Sequence, residues 1–267
     1  MTVSPFLLGV VQDVVWTGPL PCATRPAMPR PMKKEDIEEF YRRLEASMPE
    51  PETELAYKTP YELVVAVALS AQATDVSVNA ATAKLFPVAN TPEAMIALGE
   101  EGVAPYIKTI GLWRNKAKNV IALSRMLIEE FSGKVPQTRE ELQKLPGVGR
   151  KTADVVLNVA FGQPTIAVDT HIFRVSNRTG LASGKTADQV SDRLVKRTPA
   201  PYLLHAHHWL ILHGRYVCKA RTPECWRCEV ADLCGFKDKT PSPEERAALK
   251  KVPGKKPAKK AARKKTA

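Results

Sequence analysis

The segment NTPEAMIALG carries a full set of helix punctuation: Thr91 as cap, Pro92 in the first turn, where its missing N–H is no loss, and Gly99 as stop. That punctuation recurs along the chain and confines it to short helices. Ile37, Phe40, Tyr41 and Leu44 fall at i, i+3, i+4 and i+7, the stripe of an amphipathic helix that Pro49 and Pro51 then stop. A second apolar run spans Tyr61 to Leu69, and TDVSVNAATAKLF restarts a helix with Thr74 or Asp75 as its cap. After a break at Gly111, Val120, Leu123, Met126 and Leu127 face a core. TREE, from Thr138 to Glu141, is a capping box, and Asp169 caps the helix that follows it. TADQVSDRLVKRT and YLLHAHHWLILHGRYVC continue the pattern, with no pair of alternating β-runs and no fixed-period repeat, so the expected fold is all-α.

Hydrophobic residues make up 44% of the 267, enough for one large core or two modest ones without covalent staples. The cysteines therefore need another purpose. Cys22 stands alone, whereas Cys218, Cys225, Cys228 and Cys234 form C-x6-C-x2-C-x5-C, close enough in sequence for four thiolates to converge on one centre. In a chain without a convincing secretory signal this favours metal over disulfides. Zinc ribbons prefer two separated C-x2-C knuckles, and unequal loops suit a 4Fe-4S cluster, so spacing alone favours the cluster and leaves zinc open. His205, His207, His208 and His213 lie nearby, but the thiolate set is already complete, and they are expected to pack or to bond backbone.

The apolar FLLGVVQDVVW near the N-terminus is broken by Gln12 and Asp13 and has no basic residue before it, so it fails as a signal or membrane span. Residues 1–31 are Pro-rich and irregular, with Met28 or Met32 as alternative starts. No membrane association and a cytoplasmic compartment follow as the expectation. The net charge is +12, but the ten Lys and Arg from Arg246 onward, with no acid among them, account for all but two of those charges. The final KKVPGKKPAKKAARKKTA has too little apolar surface to repay ordering and reads as a disordered polyanion tether or a merely solubilising end.

In LPGVGRKTADVVLNVAFG, two cations, Arg150 and Lys151, begin an apolar helix directly after a Pro-Gly/Gly turn. Cations are unfavourable at a helix N-terminus unless an anion arrives there. Gly147 and Gly149 leave backbone N–H groups open to close approach, which makes a phosphate seat, although the strand and the G-x-x-x-x-G-K spacing of a nucleotide-binding loop are absent. Taken alone, the turn equally suits a tight helix–helix connection.

LPGVGRKTA resembles the helix-hairpin-helix of DNA glycosylases, and IAVDTHIFRV, whose Asp169 stands eighteen residues after Lys151, resembles the catalytic-aspartate segment of that superfamily. SAQATD and IKTIGL match too. With the cysteine spacing, the chain from about Lys33 to Lys239 is similar to the endonuclease III family. The resemblance implies two helical lobes with an active-site cleft between them. Residues 53–163 would form a six-helix lobe carrying the hairpin. Residues 33–52 plus 164–240 would form the cluster lobe, flanked by an irregular extension (1–32) and a disordered basic tail (241–267).

It implies a bifunctional DNA glycosylase and abasic-site lyase in base excision repair. The substrate would be double-stranded DNA bearing an oxidised pyrimidine or an abasic site, the enzyme a monomer, nucleoid-associated if the source is bacterial. Lys151 would attack the anomeric carbon, and the Schiff base would permit β-elimination 3′ to the lesion. The helix N-terminus and Arg150 favour the free amine. Asp169 would take a proton or stabilise developing positive charge while also capping its helix. Gln72 and Leu112 would fill the space left by the flipped base, and Gly147, Gly149, Arg150, Thr152, Lys219 and Arg221 would face DNA. Trp113 is expected to pack, and Glu224 stands where another cation would suit a DNA-facing cluster loop. An adenine-mismatch glycosylase generally lacks the lysine after the hairpin, and a purely DNA-binding relative would need no Asp169.

Overall fold

The computed structural model describes residues 30–251 and, among them, contains helices and no strands. Cys22, the FLLGVVQDVVW segment and the basic residues 252–267 lie outside the described residues. In chain order the helices are α1 (Lys34–Ser47), α2 (Pro60–Leu69), α3 (Asp75–Leu85), α4 (Pro92–Ile107) and α5 (Trp113–Phe131). They continue with α6 (Arg139–Leu142), α7 (Arg150–Phe161), α8 (Thr170–Thr179), α9 (Ala187–Arg197), α10 (Leu203–Tyr216) and α11 (Pro243–Lys251).

Two hydrophobic cores organise these helices. The first runs from Leu55 to Ala167 and is centred on α2, in which Leu63, Val64, Val65, Ala66 and Leu69 are fully buried. A helix apolar on every face belongs in an interior. α3, α5 and α7 pack around it, and α4 lies against α5. Each fully buried Val or Leu there contributes about 1.5–3 kcal/mol. Thr74, Thr91 and Thr138 each accept a hydrogen bond from the N–H three residues on, so the expected caps start α3, α4 and α6, and Thr59 starts α2 in the same way. At Gly99, φ is 70° and ψ is 172°, which splits α4 into two helical pieces at the expected stop.

The second core combines the N-terminal strip from Met32 to Leu44 with residues from Ile166 to Val230. The α1 stripe, Ile37, Phe40, Tyr41 and Leu44, is buried in it. Tyr41 stacks on Tyr202 with ring centroids 5.7 Å apart, its hydroxyl shares a 2.9 Å hydrogen bond with Thr198, and Trp209 closes the aromatic cluster. The chain crosses from one core to the other at Ile166 and Ala167, and that crossing leads directly to Asp169.

Residues 30–32 carry no regular structure but are tied down: Met32 is buried and its N–H donates to Gly180 O at 3.0 Å. One detail departs from expectation. The segment expected to be disordered from residue 241 begins instead with a helix, α11. Its start is well specified: Ser242 Oγ accepts from Glu245 N–H, Ser242 N–H donates to the Glu245 carboxylate, and Pro243 fills the first turn. Such a capping box favours a helix start, and the Lys/Ala/Pro run from Lys250 on, which predicts disorder, lies almost wholly outside the described residues.

Candidate active site

The turn from Leu145 to Gly149 is anchored by its apolar residues, since Leu145 and Val148 are both buried. Gly147 has φ 81°, and a Cβ there would lie 2.9 Å from Asn119 Nδ2 on α5, so both backbone and packing require glycine. Gly149 caps α7 with no side-chain hydrogen bond, and a Cβ added to it would meet nothing within 4 Å. The first-turn N–H groups of α7 therefore lack a side-chain cap, and no neighbour crowds Gly149, as an anion seat requires.

Lys151, in that first turn, lines a cleft of about 700 Å³ between the two cores. Asp169 lines the same cleft from the start of α8, as do Gln72, Asp75, His207 and Arg215. Asp169 also caps α8: its Oδ1 accepts from Ile172 N–H at 2.8 Å. Val168, just before it, is buried, and His207 Nδ1 makes a 2.9 Å hydrogen bond to Ala167 O. Burial pushes the His207 ring down to about 4, so it is neutral near pH 7 and Nδ1–H is the donor.

Asp75 and Arg215 are site residues that sequence reading did not single out. Thr74 takes the helix cap, which leaves the Asp75 carboxylate to pair with Arg215 Nη2 at 2.7 Å. The Asp75 carboxyl is raised by burial, opposed by Lys151 and reinforced by Asp169, which places all three charges within electrostatic reach of one another. Arg215 also pairs with Glu54, and Tyr216 Oη donates to Glu54 at 2.6 Å, so α10 is tied to the segment connecting the lobes.

Gln72 and Leu112 share an unusual feature. Both are non-glycine residues in left-handed conformation, with φ 54° and 61°, and Leu112 is 59% exposed despite being apolar. A Cβ at Gly111 would lie 3.8 Å from Gln72 O, so the two loops adjoin. Left-handed backbone at such residues costs energy that the surrounding structure must offset. Trp113 packs partly against the first core, with the Arg114 guanidinium 4.3 Å from its ring centroid.

The other expected DNA contacts differ in how free they are. Thr152 is half-buried in the first turn of α7, and Arg221 is exposed. Lys219 is exposed but pairs with Glu224 at 2.6 Å, and Glu224 also holds Arg227, so this one acid ties up two of the loop's cations. Those partners hold the Glu224 carboxyl below its ordinary value. Arg150 is engaged by three aspartates, Asp154, Asp188 and Asp192.

Cys218, Cys225, Cys228 and Cys234 line one small cavity together with Arg178, His213 and Phe236. All four are free thiols, and among the described residues no three His, Cys, Asp or Glu side chains hold the spacing of a metal-ion site. Burial pushes the Cys228 thiol up to about 11 and raises Cys234 as well. Arg178 Nη1 lies 3.5 Å from Cys218 Sγ, and Phe236 N–H donates to Cys234 Sγ at 3.4 Å.

Comparison with known proteins matches this architecture. Residues 65–200 fit the family described as HhH-GPD superfamily base excision DNA repair protein, and residues 218–234 fit the iron-sulfur binding domain of endonuclease III. Endonuclease III of Escherichia coli (strain K12) is 60% identical over 208 residues, 78% of this chain and 99% of that protein. The Haemophilus influenzae endonuclease III is 57% identical over the same span. A solved structure of a trapped endonuclease III–DNA covalent intermediate aligns with TM-score 0.72 and 45% identity, covering 76% of this chain and 96% of that one. A non-covalent endonuclease III–DNA complex also gives 0.72, at 42% identity over 82% of this chain and all of that one.

Proposed function

Because the chain belongs to the endonuclease III family of the HhH-GPD superfamily, we propose that Lys151 and Asp169 carry its chemistry, on duplex DNA bearing an oxidised pyrimidine or an abasic site. Its activity is that of a bifunctional DNA glycosylase and abasic-site lyase. The observation that carries the residue assignment is the shared cleft: the amine at the start of α7 and the carboxylate at the start of α8 line one cavity where the two cores meet.

In this reading the damaged nucleotide is flipped into the cleft and Lys151 Nζ donates its electron pair to C1′. The C1′–N bond breaks, and its electrons leave with the base, which takes up a proton. Asp169 stabilises the positive charge that develops on the sugar, then receives a proton from the attached amine. Opening of the sugar ring gives a Schiff base at Lys151. Loss of a proton from C2′ then expels the 3′ phosphate oxygen and cuts the strand. Gln72 and Leu112, held by strained backbone at adjoining loop tips, fill the place of the flipped nucleotide.

The four cysteines suit a 4Fe-4S cluster by their chemistry: four thiols around one cavity, with Arg178 and the Phe236 N–H directed at two of the sulfurs. When bound, such a cluster supplies a rigid centre for the loop from Cys218 to Cys234, whose own short helical turn spans only Cys225–Arg227. Gly147, Gly149, Thr152 and Arg221 face DNA phosphate. Among the described residues no helix is long and apolar enough to cross a membrane. In this reading the enzyme acts as a monomer in the cytoplasm, on nucleoid DNA if the source is bacterial.

The direct functional test compares strand scission of three duplexes, bearing a thymine glycol, an abasic site, or an adenine–oxidised-guanine mismatch. Cleavage of the first two with the mismatch left intact is expected. Adenine release from the mismatch alone would overturn the substrate assignment.

A further inference from the structure

Arg150 stands next to Lys151, and sequence alone offers it as a phosphate or a structural cation. In the structure aspartates surround it. Its Nη2 donates to Asp192 Oδ1 on α9, and its Nε lies 3.6 Å from Asp188 Oδ1 and 3.7 Å from Asp154 Oδ2. Asp154, one turn further along α7, has a side chain only 2% exposed, and its other oxygen accepts from Arg139 Nε at 2.6 Å. Arg139, Asp154, Arg150 and the Asp188/Asp192 pair thus form one continuous chain of opposite charges.

That chain runs from α6 through α7 to α9. α6 and α7 belong to the first core through Leu142, Ala153 and Val156, whereas α9 belongs to the second through Val190 and Leu194. The network therefore bridges the lobes, and it does so beside the nucleophile: Lys185, Thr186 and Ala187, at the start of α9, line the same cleft as Lys151. Three carboxylates face two guanidiniums, so the network has a surplus of negative charge and disfavours a phosphate at Arg150. Arginine suits this place because its planar fork can meet several carboxylates at fixed angles.

We propose that Arg150 is a positioning residue, an interlobe clasp that holds the start of α7 against α9 and so fixes where Lys151 stands relative to Asp169. The proposal rests on Lys151 as the nucleophile. Misplacement of a reacting group by about 1 Å costs on the order of 100-fold in rate, so loosening the clasp acts on chemistry more than on DNA affinity.

The test uses the full chain and a duplex with a single abasic site. It measures the single-turnover rate of borohydride trapping at saturating enzyme, and Kd for the same duplex as a function of salt. Asp188→Asn combined with Asp192→Asn is expected to slow trapping about 10-fold or more, with Kd unchanged or tighter. Arg150→Lys should retain part of the rate. Exchanging the pair, Arg150→Asp with Asp192→Arg, should recover rate over Arg150→Asp alone, which separates positioning from general damage to the fold.

The proposal is overturned if Arg150→Ala traps at the wild-type rate while its affinity falls and its salt slope drops by about 1, the signature of a phosphate ligand. It is equally overturned if the exchanged pair is no better than the single change. Lys151→Ala in the same assay distinguishes the two failures. Trapping that persists there removes the nucleophile reading and the clasp with it. Trapping lost there, with the aspartate variants at wild-type rate, removes the clasp alone.

Discussion

Asp169 Oδ1 accepts a hydrogen bond from the Ile172 N–H at 2.8 Å, so one oxygen of this carboxylate starts α8 while the same side chain lines the cleft that holds Lys151. The cap and the proposed chemistry meet in one group, and they can be separated by substitution.

Asp169→Asn keeps a good capping side chain and removes the charge. Stability should change by less than about 0.5 kcal/mol, while strand scission of abasic-site DNA falls about 100-fold or more. Asp169→Ala should lose as much activity and in addition about 1 kcal/mol of stability. Urea unfolding paired with single-turnover scission checks both.

The two hairpin glycines should respond differently. Gly147→Ala places a Cβ in left-handed backbone and against Asn119, so it should destabilise the protein by about 1–2 kcal/mol or more. Gly149→Ala meets open space at φ −90°, so its stability cost should stay below about 1 kcal/mol, with the effect appearing instead as weaker DNA binding. Thermal melts and fluorescence anisotropy on a duplex distinguish the two.

Burial pushes His207 down to about 4 and His208 down to about 3. Between those values and the ordinary pKa of about 6.5 the unfolded chain binds protons that the native state refuses. Stability is therefore fully present above about pH 6.5 and is lost as pH falls toward 4, by about 3 kcal/mol for the fully buried His207. Urea midpoints measured from pH 7 down to pH 5 should decline, and His207→Gln should flatten the decline.

Glu224 neutralises Lys219 and Arg227 in the cysteine loop. Glu224→Gln should release both cations, tighten duplex binding at low salt and steepen the plot of log K against log salt by about 0.9 for each phosphate gained. Titrations at several salt concentrations measure this slope. An unchanged slope would mean that the loop does not meet the backbone.

Much of the fold was legible because its signals are local. The Thr caps, the Gly99 stop and the α1 stripe act within one or two turns, and each stands where the chain punctuation puts it. The capping box of Ser242 and Glu245 is equally local, but the basic, Pro-containing composition just beyond it predicts disorder. What escaped was long-range. Asp75 reads as a helix cap until Thr74 is seen to take that role, and its partner Arg215 lies far along the chain. Arg150 reads as a phosphate or structural cation, and the choice depends on Asp188 and Asp192, which lie some forty residues along the chain. Gln72 and Leu112 were nameable by resemblance, but their left-handed backbone could not be read from residue type, since neither is a residue that favours it.

The most direct measurement is borohydride trapping of the protein on abasic-site DNA followed by mapping of the modified peptide. The structure predicts one covalent adduct, on Lys151 within LPGVGRKTADVVLNVAFG, and none with Lys151→Ala. An adduct on another residue, or trapping that survives Lys151→Ala, would contradict the account.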